Sequence, residues 1–158
     1  MGHETYPLRL IRIYGQSNMR TIIVDADAIV AQTIQSDDNH LKASRISQEL
    51  VKEGAHVLYP ITAVTEAVTV IQRVFKRSSS AYKIAAVFAG PESPALEIDA
   101  KIYSSAVHNF FGPQISKHNT LFDCIIAAVA KEYRADAIFS FDKFYRKLGF
   151  KLAEDILL

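Results

Sequence analysis

Two kinds of segment alternate along the chain. Short apolar or β-branched runs are closed by an acid or a proline, and longer stretches carry apolar residues at helical spacing. Thr21-Ile22-Ile23-Val24-Asp25 is uninterrupted and β-branched up to its final acid, the composition of a strand buried on both faces. Asp27 follows, and Ala28 to Ile34 begins a helix. Asp37-Asp38-Asn39 forms a turn and cap before a helix of about Leu41 to Glu53, which Gly54 ends. His56 to Tyr59 is a second strand, closed by Pro60. Thr62 then caps a helix running to about Arg77, with Val64, Ala67, Val68, Ile71, Val74 and Phe75 as its apolar stripe. Glu66 shares a different line of that helix with Val70, Arg73 and Arg77, the position of a solvated surface acid.

Ser78-Ser79-Ser80 is expected as a loop before the apolar stretch Ala81 to Ala89, and Gly90 to Pro94 breaks the chain. Leu96-Glu97-Ile98 is a weak edge strand. Asp99 to Phe111 is a helix with Ile102, Ala106, Phe110 and Phe111 inward, and Gly112 to Lys117 is a loop. The next helix, capped by Asn119 or Thr120, is apolar or small on every side from Leu121 to Ala130 except at Asp123, so it is buried rather than amphipathic. Ala137 to Phe141 is an interior strand that delivers Asp142 at its carboxyl end. Lys143 to Leu148 is a short basic helix, and Phe150-Lys151-Leu152 adds a last strand.

Short apolar strands alternating with helices predict an α/β fold of three layers (α/β/α, Rossmannoid), with a mostly parallel sheet of four to five strands. Residues 1–18 fit this pattern poorly. Leu8 to Tyr14 is a short strand candidate broken by Gly15 to Asn18, and Met19 stands just before the first clear strand. The chain therefore divides into an N-terminal extension at 1–18, expected to be non-native or upstream of the true start, and one domain at 19–158.

Composition adds mostly exclusions. Hydrophobic residues make up 49% of the 158 and charged ones 22%, the balance of a globular domain with a full core. The net charge is +1, so affinity for a polyanion must come from a local patch. The single Cys124 forms no internal disulfide and sits in the apolar helix as a small core residue. No apolar run approaches a membrane span and no cleavable leader is visible, which places the chain in the cytoplasm.

The chemistry lies in the acids. In parallel sheets, ligands gather beyond the carboxyl ends of the strands. Asp25 and Asp142 are placed there directly, while Glu66 and Asp123 occupy first turns of helices starting at the same edge. Asp123 has a plainer role open to it as a capping-box acid answering Thr120. Crowded carboxylates repel one another, and an all-oxygen cluster suits a hard cation, Mg²⁺ or Mn²⁺. Such ions polarise phosphoryl oxygens and activate water, which points to phosphodiester hydrolysis. Arg73, Lys76, Arg77, Lys143, Arg146 and Lys147 are candidates for holding an anionic polymer.

Four segments, in order, carry a resemblance: Ile22 to Ala28, Thr62 to Glu66, Asp123 to Ala128, and Ala137 to Phe144. Together they resemble the PIN-domain ribonucleases, and among them the small VapC-type toxins of toxin–antitoxin pairs, over about residues 21 to 153. The resemblance implies a metal-dependent endoribonuclease in which Asp25, Glu66, Asp123 and Asp142 match the acidic quartet. Asp25 and Asp123 would be the principal metal ligands. Ser140 matches a small hydroxyl position, and Asp27 departs from the Asn or Ser often found there. Family members are frequently homodimers, and toxin members are silenced by a cognate antitoxin.

Two alternatives stand beside that reading. Asp25-Ala26-Asp27 after a strand also suits a haloacid-dehalogenase-type phosphatase, with Asp25 as nucleophile and Asp27 as general acid, but it leaves Glu66 and Asp123 idle. The other is a non-catalytic PIN-like module that docks RNA or a protein.

Overall fold

The computed structural model describes residues 19–158, so the extension at 1–18 lies outside the described residues. Four strands form one parallel sheet in the order β3-β2-β1-β4: β1 Thr21–Val24, β2 His56–Pro60, β3 Ala95–Leu96 and β4 Ala137–Phe139. The register sets Ile22 beside Val57 and Ala137, and Ile23 beside Leu58 and Ile138. Ile22, Ile23 and Val24 are all buried, so the central strand is covered on both faces, which is why its residues show no polar alternation.

Helices α1 (Ala26–Thr33) and α2 (His40–Glu53) follow β1. The second ends at Gly54, whose φ of 64° takes the left-handed turn that closes the helix, with the Ala55 amide bonding the Leu50 carbonyl at 2.9 Å. Helices α3 (Ile61–Arg73) and α4 (Ser78–Ala89) pack against each other after β2. Helices α5 (Ala100–Asn109) and α6 (Leu121–Glu132) pair before β4, and α7 (Phe144–Lys147) and α8 (Ala153–Leu157) finish the chain. Every residue of α6 from Cys124 to Ala130 is buried, as its unbroken apolar run requires.

Several expected boundaries move. The Ser78–Ser80 loop is the first turn of α4, where serines are tolerated because free amides await partners. Helix α3 begins at Ile61, leaving Thr62 inside the helix rather than at its cap, and it stops at Arg73, before the positive φ of Lys76 (54°). Val74 and Phe111 were expected inward, but they fall at or beyond helix ends and are exposed. Helix α1 starts two residues early, at Ala26, because Asp25 caps it. The edge strand is Ala95–Leu96 rather than Leu96–Ile98, and β4 stops at Phe139. The last strand shrinks to a single parallel bridge between Ile138 and Leu152, so among the described residues the sheet has four strands.

Candidate active site

The carboxyl edge of the sheet is where the acids collect, and each arrives by a local rule. Asp25 follows β1 directly. Its amide extends the ladder to the Phe139 carbonyl at 3.0 Å, and its side chain caps α1 by accepting the Ala26 amide on Oδ1 at 2.7 Å. Oδ2 accepts the Tyr145 hydroxyl at 2.7 Å. Asp25 is buried, and burial is the main reason its carboxyl is pushed up to about 6. The two hydrogen bonds pull it down and the Asp123 charge pushes it up again.

Asp123, in the first turn of α6, fills the capping role and belongs to the cluster as well. Its Oδ2 accepts the Thr120 amide at 2.5 Å and the Thr120 hydroxyl at 3.2 Å. Its carboxyl is raised by burial, with the Asp142 charge adding to the rise against the Thr120 bonds. Glu66 is no solvated surface acid. It is half-buried in the second turn of α3, and burial followed by the charges of Asp25 and Asp123 push its carboxyl up to about 7. These electrostatic couplings bring Asp25, Glu66 and Asp123 into one field.

Asp142 lies three residues past β4 in the loop to α7. Its Oδ1 accepts the Phe144 amide at 2.8 Å, and its Oδ2 accepts the Asn119 side-chain amide at 3.3 Å. Ser140 is buried; its hydroxyl donates to Asp27 Oδ2 at 2.9 Å and accepts the Asp142 amide at 3.1 Å. Asp27 Oδ2 also accepts the Phe141 amide at 2.8 Å, while its Oδ1 is buried without a partner. Burial and the neighbouring Asp25 charge push the Asp27 carboxyl up to about 8, so it carries a proton at neutral pH. Asp27 therefore supports the loop rather than adding charge to the edge.

One participant had no clear signal in the sequence. Tyr145 is one aromatic among several after β4, and only the fold shows that its hydroxyl reaches Asp25. Thr62, one turn before Glu66, keeps a buried hydroxyl with no partner. The basic candidates are scattered. Arg73 is exposed seven residues beyond Glu66, ~10 Å along the helix axis, and Arg77 is exposed at the head of α4. Lys143 is exposed next to Asp142. The Arg146 guanidinium is engaged elsewhere, on Glu154 at 2.7 Å and Asp155 at 2.6 Å in α8. Cys124 is buried, its thiol pushed up to about 11 by burial and the Asp123 charge, which makes it an inert core residue.

None of the four acids forms an ion pair among the described residues. No group of three or more His, Cys, Asp or Glu side chains among them is gathered closely enough to hold a metal ion as it stands. The donor chemistry nevertheless fits a hard dication. Every candidate atom is a carboxylate oxygen, and Asp25, Glu66 and Asp123 have raised proton affinities with no cation beside them. No described helix is long and apolar enough to cross a membrane.

The sequence profile of the PIN domain matches residues 22–151. Among solved structures, the chain is similar to VapC20 of Mycobacterium tuberculosis, a sarcin–ricin loop cleaving toxin. The TM-score is 0.70 and the identity 18%, over 82% of this chain and 95% of that one. No curated protein sequence matches.

Proposed function

Since the chain belongs to the PIN-domain family, we propose that it is a metal-dependent endoribonuclease, hydrolysing RNA phosphodiester bonds at the acidic edge of the sheet. The observation that carries the proposal is the buried Asp25 at the carboxyl end of β1, fixed through both oxygens and set in the field of Asp123, with Glu66 in the field of both, acids from distant parts of the chain. A protein has little reason to crowd like charges unless something of opposite charge joins them.

Asp25 and Asp123 would be the principal holders of Mg²⁺ or Mn²⁺, with Glu66 and Asp142 completing the set directly or through water. A bound dication would polarise the scissile phosphoryl group and lower the pKa of an attacking water. The chain's own residues do the positioning. The α1 cap and Tyr145 fix Asp25, the Thr120 box fixes Asp123, and Ser140 with Asn119 fixes the loop of Asp142. Lys143, exposed and next in sequence to Asp142, is a candidate for the RNA backbone, as are the exposed Arg73 and Arg77.

Membership of this family displaces the phosphatase alternative. The geometry agrees: the presumptive nucleophile Asp25 has both oxygens hydrogen-bonded and is buried, and Asp27 is locked onto Ser140 and Phe141. The likeness to VapC20, which cleaves the sarcin–ricin loop, supports the toxin of a toxin–antitoxin pair as the biological setting. A cognate antitoxin, a homodimer and cytoplasmic residence belong to that same proposal. Incubating the protein with RNA, including intact ribosomes, in Mg²⁺ or Mn²⁺ and again in chelator tests it. Metal-dependent cleavage supports the nuclease, and RNA bound but uncut supports a docking module.

A further inference from the structure

Asp25 is held from both sides of its carboxylate. Oδ1 takes the Ala26 amide of its own helix, and Oδ2 takes the Tyr145 hydroxyl from the far end of the sequence. A carboxylate pinned through one oxygen still swings about its last torsion, which is broad and weakly restrained. Pinned through both, it has one orientation and still keeps unused lone pairs on each oxygen.

Tyr145 is well placed to impose that orientation. It is fully buried, and its ring meets that of Phe144 at 5.5 Å between centroids, tilted by 60°. Its carbonyl accepts the Leu148 and Phe150 amides at 3.1 and 3.0 Å, so its backbone is fixed as well. Burial and the surrounding acids push the phenol well above its usual range, so it remains a donor. The four-residue helix α7 is too short to be stable alone, and the tyrosine ties it to the strand that carries Asp25.

We propose that Tyr145 is a positioning residue of the site, its hydroxyl orienting the Asp25 carboxylate for a divalent cation. This rests on the nuclease reading above. Groups that orient metal ligands in this way typically change metal affinity 10- to 100-fold when removed. Tyr145→Phe keeps the ring and deletes only the donor.

The test is calorimetric titration of Mn²⁺ into wild type, Tyr145→Phe and Phe144→Leu, with thermal melts and RNA cleavage on the same samples. Phe144→Leu loosens the packing of α7 while leaving the tyrosine hydroxyl in place. The expected result is that Tyr145→Phe weakens Mn²⁺ binding about 10-fold and lowers kcat with KM for RNA unchanged, whereas Phe144→Leu binds Mn²⁺ as wild type does. Equal Mn²⁺ affinity in wild type and Tyr145→Phe overturns the inference, as does an equal loss in Phe144→Leu, which would mark a packing effect. A wild type that neither binds Mn²⁺ nor cuts RNA sinks the nuclease reading itself, a failure distinct from either.

Discussion

Asp27 and Ser140, brought together from the first helix and the end of the last strand, share a hydrogen bond of 2.9 Å, and the same serine oxygen receives the Asp142 amide. The loop bearing Asp142 is thereby tied to the helix that Asp25 caps. An acid serves here as a bracket, with its proton retained because burial and Asp25 make the charge costly.

Asp27→Asn should preserve that bracket, since the amide oxygen can accept from Ser140 and Phe141 just as the acid does. Its melting temperature should match that of wild type near neutral pH, because the amide, like the protonated acid, places no charge beside Asp25. Asp27→Ala instead strands the Ser140 hydroxyl and the Phe141 amide, a cost of about 1–3 kcal/mol for a buried unsatisfied group. Denaturant melts of the two variants check this, and equal destabilisation by both would contradict it.

Metal-free protein should lose stability as pH rises. For an acid whose folded pKa lies above its unfolded value, the folded state holds the extra proton, so stability is greatest below the unfolded pKa and falls until the folded pKa is passed. Asp25 rises from 3.8 to about 6, Glu66 from 4.5 to about 7 and Asp27 from 3.8 to about 8, which sets the window at roughly pH 4 to 8. Chelated wild type should melt lower at pH 7.5 than at pH 5, and Glu66→Gln should flatten the difference. A melting temperature that climbs steadily across that window would count against the coupled cluster.

Arg146 is occupied by Glu154 and Asp155, so Arg146→Ala should leave RNA affinity unchanged while slightly lowering the melting temperature, an effect that shrinks in high salt. Lys143→Ala should weaken RNA binding and reduce its salt dependence by about one counterion. Filter binding across a salt series separates the two. Matching losses would mean that the arginine leaves α8 to meet the RNA.

The parallel sheet and the strand-end position of Asp25 were legible in the sequence because each rests on a strong local signal. Thr21 to Val24 has no polar interruption, α6 is apolar on all sides, and parallel strands place their carboxyl ends together. What escaped depended on distant partners. The pattern around Phe144 and Tyr145 spans a single turn, too short for periodicity to say which aromatic points inward. Arg146 looked like a nucleic-acid ligand because the acids that claim it lie in a terminal helix of five residues, Ala153–Leu157, which the pattern never marked. Glu66 looked solvated because helical spacing ranks faces by hydrophobicity, and a half-buried acid scores as surface. The Ser78–Ser80 helix start was hidden because serines at a helix head and serines in a loop look alike.

One experiment bears most directly on the acidic edge as a nuclease centre: RNA cleavage by wild type, Asp25→Asn and Asp123→Asn in Mn²⁺, with melts of each. Wild type should cut, and both variants should lose nearly all of that activity while melting, in chelator, as high as wild type or higher, since each sheds a repelling charge. Cleavage retained in both variants, or lost only together with the fold, would contradict the assignment.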